Sequence, residues 1–234
     1  MKMGKKIFLF FFFCGTVFYS CKKDKQVTST DLGYNYYPND VGHYVTYQVD
    51  SIWRDDKSNV HDTIRYMLKE LIAATFWDNS NRPTLRIERY YKFYHFNTHS
   101  YDTAWSAPRV WTANRTQTTL ERKEENITYV KLVFPPALNA QWNGNEYNTL
   151  GENDYKVMSV DKPDAVGAMH FDSVAVITIA QLNDVNYIEY MYQYEKYARN
   201  IGLIHKERDS LFWAGTSNDT IGYTFNQKII SYGK

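Results

Sequence analysis

The sequence predicts a mainly β protein: a single antiparallel sheet domain, curled into a partial barrel or packed as a sandwich, with little helix. Aromatic residues make up 17% of the chain, and they favour the pleated, half-buried surfaces of sheets. From residue 44 onward, apolar and polar side chains alternate along many short segments, the period of a strand with one buried face. Turn residues, rather than helices, separate these segments, which argues against a parallel α/β core.

The individual strands follow from this alternation. Residues 45–53 alternate apolar with polar side chains, and residues 84–94 repeat the pattern with Ile87 on one face and Glu88 on the other. Further strands are predicted at residues 111–118, 127–134, 174–182, 187–194, 201–207 and 223–232.

Residues 62–75 give two signals, because their apolar positions suit either a helix or a strand face. Asp62 could cap a helix, but Arg65 stands where a Glu or Gln would complete a capping box. The turn-like residues 78–81 follow. We therefore predict a strand and hairpin here, with a helix as the alternative.

Turn-forming residues predict two further strand boundaries. Asn183-Asp184 is typical of a hairpin between strands, and Pro135-Pro136 ends the strand before it. Helix is expected only as a turn or two near residues 137–142.

The N-terminus has the composition of an export signal. Three lysines precede an apolar run at residues 7–18, and no acidic residue precedes Asp24. This run is too short to cross a bilayer, which takes about 20 residues, but it suits the apolar centre of a secretory signal peptide. Ser20 then lies directly before Cys21, one of only two cysteines in the chain.

Phe18-Tyr19-Ser20-Cys21 resembles the lipobox of bacterial lipoproteins in its looser Bacteroidetes form. The resemblance implies that Cys21 becomes the mature N-terminus and carries diacylglycerol and an N-acyl chain such as palmitate. Several acyl chains on one residue anchor a protein stably to membrane lipid. The alternative is an ordinary signal peptide with a chance cysteine. The expected organisation is a signal peptide at residues 1–20, a flexible tether at 21–35 and one β-rich domain at 36–234.

Four longer stretches are similar to a group of Bacteroidetes outer-membrane lipoproteins of unknown function: YYPNDVGHYVTYQVDSI, LVFPPALNAQWNGNEYN, YEKYARNIGLIHKE and QKIISYGK. The resemblance implies a β-rich exported domain behind a lipid anchor, and it supplies no catalytic residues. Lys22 follows Cys21 where an Asp would indicate inner-membrane retention in other bacteria. We therefore expect the outer membrane, with the periplasmic or surface face left open.

Charge and motifs exclude several classes of function. Without residues 1–20 the chain has 24 basic and 26 acidic residues, a net charge of −2, which disfavours nucleic-acid binding. His95 and His99 are four residues apart, but a zinc site needs three or four ligands. No serine-hydrolase elbow, phosphate-binding glycine loop or dinucleotide fingerprint is present. We expect no metal, cofactor or catalytic residue.

Two sets of residues are candidates for modification or binding. Asp followed by Ser or Thr and an apolar residue resembles the O-glycosylation pattern of exported Bacteroidetes proteins. It occurs at Ser51, Thr63, Thr103, Ser173, Ser210 and Thr220. The same pairs also mark the passage from turn to strand. A candidate surface for a glycan or an envelope protein partner comprises Tyr91, Tyr94, Trp105, Trp111, Arg89 and Arg109. Core packing with cross-strand aromatic pairs is the alternative.

The favoured function is a lipid-anchored, non-catalytic envelope protein that binds a ligand or partner, or supports an envelope assembly. A polysaccharide-directed hydrolase is the first alternative, and it would need acids or histidines converging in one cleft. A carrier of apolar molecules is the second alternative, and it would need a large apolar cavity inside the curled sheet.

Overall fold

The computed structural model describes residues 30–179, 189–213 and 219–234. The chain divides into residues 1–30 and a folded unit of residues 31–234, and only the folded unit is considered below. Its described part contains one short 3-10 helix, Tyr34–Tyr36, and thirteen strands. The strands are β1 (Tyr44–Asp55), β2 (Val60–Trp77), β3 (Pro83–His95), β4 (Ser100–Tyr101), β5 (Arg109–Arg115), β6 (Thr119–Glu124), β7 (Ile127–Val133), β8 (Gln141–Asn143), β9 (Asp154–Val166), β10 (Met169–Ile179), β11 (Glu189–Ala198), β12 (Gly202–Trp213) and β13 (Thr220–Gly233).

All of these strands belong to one antiparallel sheet, in the order β7-β6-β5-β3-β2-β1-β13-β12-β11-β10-β9-β8, with β4 paired to β3 outside this path. The pairing of β1 with β13 joins the two halves of the chain. The outer strands then meet, because the Val130 amide donates to the Gly144 carbonyl at 2.9 Å and the Trp142 indole donates to the Val130 carbonyl at 2.8 Å. The sheet is therefore nearly closed into a barrel, and the predicted curled antiparallel sheet is confirmed.

The segment whose pattern suited either a helix or a strand is a strand. Residues 62–75 lie within β2, which pairs with β1 on one side and β3 on the other. Leu68 and Ile72 are buried, whereas Met67 and Leu71, which only the helical stripe would bury with them, are half-buried, so the strand face is what packs. Within the described residues, no helix is long and apolar enough to cross a membrane.

The helix expected near residues 137–142 is absent from this described segment, and that prediction is wrong. Asn139 has a φ of +65°, which interrupts a right-handed helix. The Asn139 amide and the Ala140 carbonyl instead pair with the backbone of Val157 at 2.9 and 3.0 Å. These bonds lead the chain directly into β8. The hairpin predicted at Asn183-Asp184 lies outside the described residues.

The folded unit begins at Asp31, before the boundary at residue 36 that the sequence suggested. Asp31 forms an ion pair with Arg199 at 2.6 Å. Tyr36 is fully buried and donates a hydrogen bond to Asp161 at 2.7 Å. Tyr37 packs beside Ile72 and Leu203 in the core. Residues 31–35, expected to form part of a flexible tether, are thus held against the sheet.

Candidate functional site

A partly enclosed cavity of about 200 Å³ lies on the concave face of the sheet, between strands of both halves. Tyr66, Trp111, Tyr197 and Phe225 contribute aromatic rings to its lining. Its charged side chains are Glu70, Arg89, Arg122, Glu124, Lys131, Glu195 and Lys206. Seven charged groups inside a curved sheet are unusual, since charged residues are almost never buried unless they are paired.

Strand alternation places these charges on the inner face. Glu70 lies between the buried residues Leu68 and Ile72 on β2. Arg89 follows buried Ile87 on β3, and Arg122 follows buried Leu120 on β6. Since residues i and i+2 of a strand share a face, each charge has an apolar neighbour on the same side. The sequence therefore contained the signal: a charged residue in phase with apolar positions.

The first charge cluster is centred on Glu70. Its Oε1 accepts a hydrogen bond from Arg89 Nε at 2.9 Å and from Arg122 Nη2 at 2.5 Å. Both guanidinium groups lie over the Trp111 ring, at 3.4 Å for Arg89 and 4.9 Å for Arg122. Burial acts to raise the pKa of Glu70, but the two arginines outweigh it, so that pKa is lowered. Glu70 is therefore ionised.

The second cluster is centred on Glu195, whose side chain is 1% exposed. Its Oε1 lies 2.6 Å from Lys131 Nζ and 3.4 Å from Lys206 Nζ, while its Oε2 accepts a hydrogen bond from the Tyr197 hydroxyl at 2.5 Å. Lys131 also donates to the Tyr155 hydroxyl at 3.2 Å. Burial acts to raise the pKa of Glu195, but Lys131 and Lys206 outweigh it and lower the pKa to about 2.

The charges that line the cavity do not cancel. Four cations face three carboxylates, so the cavity has one positive charge in excess. Nε of Arg122 lies 3.3 Å from Glu124 Oε1 but makes no hydrogen bond in the described part of the chain, although it is buried. Buried polar groups are almost always hydrogen-bonded. An unused buried donor in a net positive cavity is the arrangement expected of a binding site for an anionic group.

The candidate aromatic surface divides between the two faces of the sheet. Arg89 and Tyr91 lie on the inner face of β3, and Trp111 and Arg109 lie on the inner face of β5. The Arg109 guanidinium is 5.4 Å from the Tyr91 ring centroid. These four residues therefore lie together, at or next to the cavity.

The remaining two residues of that surface lie outside. Tyr94 alternates with Tyr91 and packs against Phe96 and Tyr101, each at a centroid distance of 5.0 Å. Trp105 lies beside Lys92, with 5.3 Å between the ammonium and the ring centroid. The sheet separates these two residues from the cavity.

The six candidate glycosylation residues differ in exposure. Thr63 and Thr103 are exposed, whereas Ser210 is buried. Ser51, Ser173 and Thr220 are half-buried, and the Ser173 hydroxyl donates to Asp161. Thr63 and Thr103 are therefore the two fully exposed candidates in the folded domain. Cys21 lies outside the described residues.

His95 and His99, the pair four residues apart in the sequence, do not share a partner among the described residues. His95 Nε2 is 2.8 Å from Asp102 Oδ1, and His99 lies in the following turn. Within the described residues, no three His, Cys, Asp or Glu side chains are close enough to hold a metal ion. Asp209 has its pKa raised to about 6 by burial and by Glu207, but it is on the opposite face of β12 from Lys206.

The fold and the site together define the class of protein: a single antiparallel sheet that curves around a charged, partly enclosed cavity. No protein-family model matches the chain, and no curated protein matches it. The chain is similar to a solved structure described as a "putative lipoprotein" from Parabacteroides distasonis ATCC 8503. The two are 13% identical with a TM-score of 0.35, over 83% of this chain and 98% of that chain. A likeness this distant supports no inference about ligand or activity.

Proposed function

We propose that this protein is a non-catalytic, lipid-anchored protein of the cell envelope that binds a small molecule inside its curved sheet. The single observation behind the binding function is the partly enclosed cavity with its buried charges. The lipobox-like residues 18–21 support the anchor, with Cys21 as the acylated residue and the outer membrane as the expected location.

The ionisation of two cavity carboxylates favours a binding function over a hydrolytic one. A glycosidase of the common type requires one protonated carboxyl group as its general acid. Glu70 and Glu195 instead have lowered pKa values, because each is held by two cations. Asp209, whose pKa is raised, lies on the other side of the sheet. The geometry therefore supports recognition of a ligand more than attack on one.

The same charges disfavour a purely apolar cargo. A ligand without polar groups would lie against Arg122 and Lys206 without compensating the excess positive charge. Desolvating an unpaired charge costs free energy that apolar contacts do not replace. A molecule with both a polar and an apolar part matches the lining better.

Calorimetric titration of the full-length lipoprotein in lipid nanodiscs tests the binding function, with empty nanodiscs as the blank. The probes are 2-naphthoate and its neutral analogue 2-naphthamide. Gln227 lines the cavity, so Gln227→Trp should fill it and abolish saturable binding of either probe. Ile230 lies on the same strand and is 42% exposed, so Ile230→Trp is the matched control and should retain binding. If neither probe binds the wild-type protein, or if Gln227→Trp folds and still binds, this function is wrong.

A further inference from the structure

We infer that the cavity selects a ligand with one negative charge attached to a flat apolar ring system. This inference rests on the proposed function and names the chemical class of its ligand. Three features of the cavity lead to it: the excess cation, the buried Arg122 guanidinium and the line of aromatic rings on the inner face of β2 and β3.

The excess positive charge can be assigned to Lys206. Glu70 is hydrogen-bonded to two arginines, and Glu124 lies 3.3 Å from one of them, Arg122, so these four charges balance. Glu195 is bonded to Lys131 at 2.6 Å. Among the described residues, Lys206 pairs with the same Glu195 oxygen at the longer distance of 3.4 Å, and its side chain is 28% exposed. Its ammonium is thus the cation with the weakest compensation and the best access to a ligand.

Arg122 provides a second donor at the same cavity. Its side chain is 5% exposed, and its buried Nε lies 3.3 Å from Glu124 Oε1 without making a hydrogen bond within the described residues. A carboxylate or similar monoanion accepts several hydrogen bonds, and such charge-assisted bonds are shorter and stronger than neutral ones. One anionic group that contacts Lys206 and the Arg122 guanidinium would compensate the excess charge.

The apolar part of the ligand would contact a separate, aromatic part of the cavity wall. Tyr66 lines the cavity and packs against Tyr91 at 5.7 Å and Phe93 at 5.6 Å between ring centroids. Phe93 is 43% exposed, so this row of rings runs from the cavity towards solvent. Flat rings prefer offset-stacked or edge-to-face contacts with such side chains. A flat ring system therefore fits this wall better than a bulky branched group.

The calorimetric assay tests this class by comparing the two probes, which differ in charge but have the same ring system. The wild-type protein should bind 2-naphthoate about tenfold more tightly than 2-naphthamide, the effect expected of one charge-assisted contact. Lys206→Met should remove most of this preference, measured as the ratio of the two dissociation constants. Lys228 is exposed on the outer face of β13, so Lys228→Met is the matched control and should preserve the preference.

A second variant keeps the test decisive if Lys206→Met folds poorly. Gln227 pairs in register with Lys206, so Gln227→Glu would place a carboxylate beside that ammonium with almost no change of volume. It should lower the preference for 2-naphthoate over 2-naphthamide, measured as the ratio of the two dissociation constants. Equal affinity of the wild-type protein for both probes would overturn the anion inference while the binding function stands. Absence of cavity-dependent binding of either probe would overturn both.

Discussion

Glu195 is the residue around which the second charge cluster is arranged. It accepts hydrogen bonds from Lys131 and Tyr197 and lies near Lys206, in a position almost without solvent. A buried ion pair often contributes little compared with apolar residues of the same volume. Removing one partner of the pair is strongly destabilising, because the other charge then stays buried without compensation. The charges of this cluster therefore depend on one another. We interpret the cluster as part of a binding site rather than as a source of stability.

Glu195→Gln should lower the free energy of unfolding by about 3–5 kcal/mol at pH 7, because Lys131 would be left as an uncompensated buried charge. Urea denaturation followed by circular dichroism measures the change. Glu152 is exposed, so Glu152→Gln is the control and should stay within about 0.5 kcal/mol of the wild type. The double variant Lys131→Met/Glu195→Leu should recover most of the loss. A loss under about 1 kcal/mol in Glu195→Gln would contradict this account of the pair.

The same variant should respond differently to acid. The pKa of Glu195 is about 2 in the folded protein, compared with an ordinary glutamate value of 4.5. A lowered carboxyl pKa stabilises the folded state above the unfolded-state value, and that contribution is lost as pH falls towards the folded-state value. The difference in stability between wild type and Glu195→Gln should therefore shrink as pH falls from about 5 to about 2. A difference that is constant over this range would contradict the pairing.

Among the strands, β2 and β3 show what the sequence could and could not predict. The alternation of apolar residues predicted both strands, and the pairing of residues 62–75 with β1 and β3 shows that this segment is a strand. The charge at Glu70 was equally visible, in phase with Leu68 and Ile72. Its partner Arg122 lies on β6, three strands away in the sheet. The curvature of the sheet brings these two residues together, and no local pattern encodes that.

The candidate aromatic surface could likewise be predicted only in part from the sequence. The sequence predicted a cluster of rings and arginines near residues 89–111, and four of the six residues lie together on the inner face. Period-2 alternation nevertheless sends Tyr91 inward and Tyr94 outward. Trp105 lies in the segment between strands, so its side could not be derived from alternation. Assigning a face requires the register of β3 with β5, which the sequence alone does not give.

The closing contact between the two outer strands depends on a glycine. A Cβ at Gly144 would lie 2.0 Å from the ring of Tyr155, which is itself buried and packed against Trp142. The Gly144 carbonyl also accepts the hydrogen bond from Val130 that links β7 to the residue after β8. The absence of a side chain at this position therefore lets the strands come together.

Gly144→Ala should lower the free energy of unfolding by about 1–3 kcal/mol, because the Tyr155 ring would have to move in a packed core. Hydrogen exchange should also show faster exchange of the Val130 amide, since its partner carbonyl would shift. A Cβ at Gly151 would meet no described atom within 4 Å, so Gly151→Ala is the control and should be nearly neutral. Equal stability of the two variants would show that Gly144 is not needed for closure.

At the level of the complete chain, the folded domain begins close behind the expected lipid anchor. Arg199 binds Asp31, Asn35 and Asp161, so the entry of the chain is fixed to the turn between β11 and β12. Only residues 22–30 separate this fixed entry from Cys21. Because an extended residue spans about 3.5 Å, nine residues reach at most about 30 Å. An acylated Cys21 would therefore be joined to the fixed entry at Asp31 by a short segment.

Cys21→Ser should release the protein from membranes, because multiple acyl chains on one residue supply the affinity and a single signal binds only marginally. Carbonate-washed membranes from cells grown with radiolabelled palmitate would show both protein and label in the pellet for wild type. For Cys21→Ser the protein should appear in the supernatant without label. Cys14→Ser serves as the control, since the apolar run is too short before it for processing, and should behave like the wild type. Membrane-bound, labelled Cys21→Ser would show that the anchor lies elsewhere.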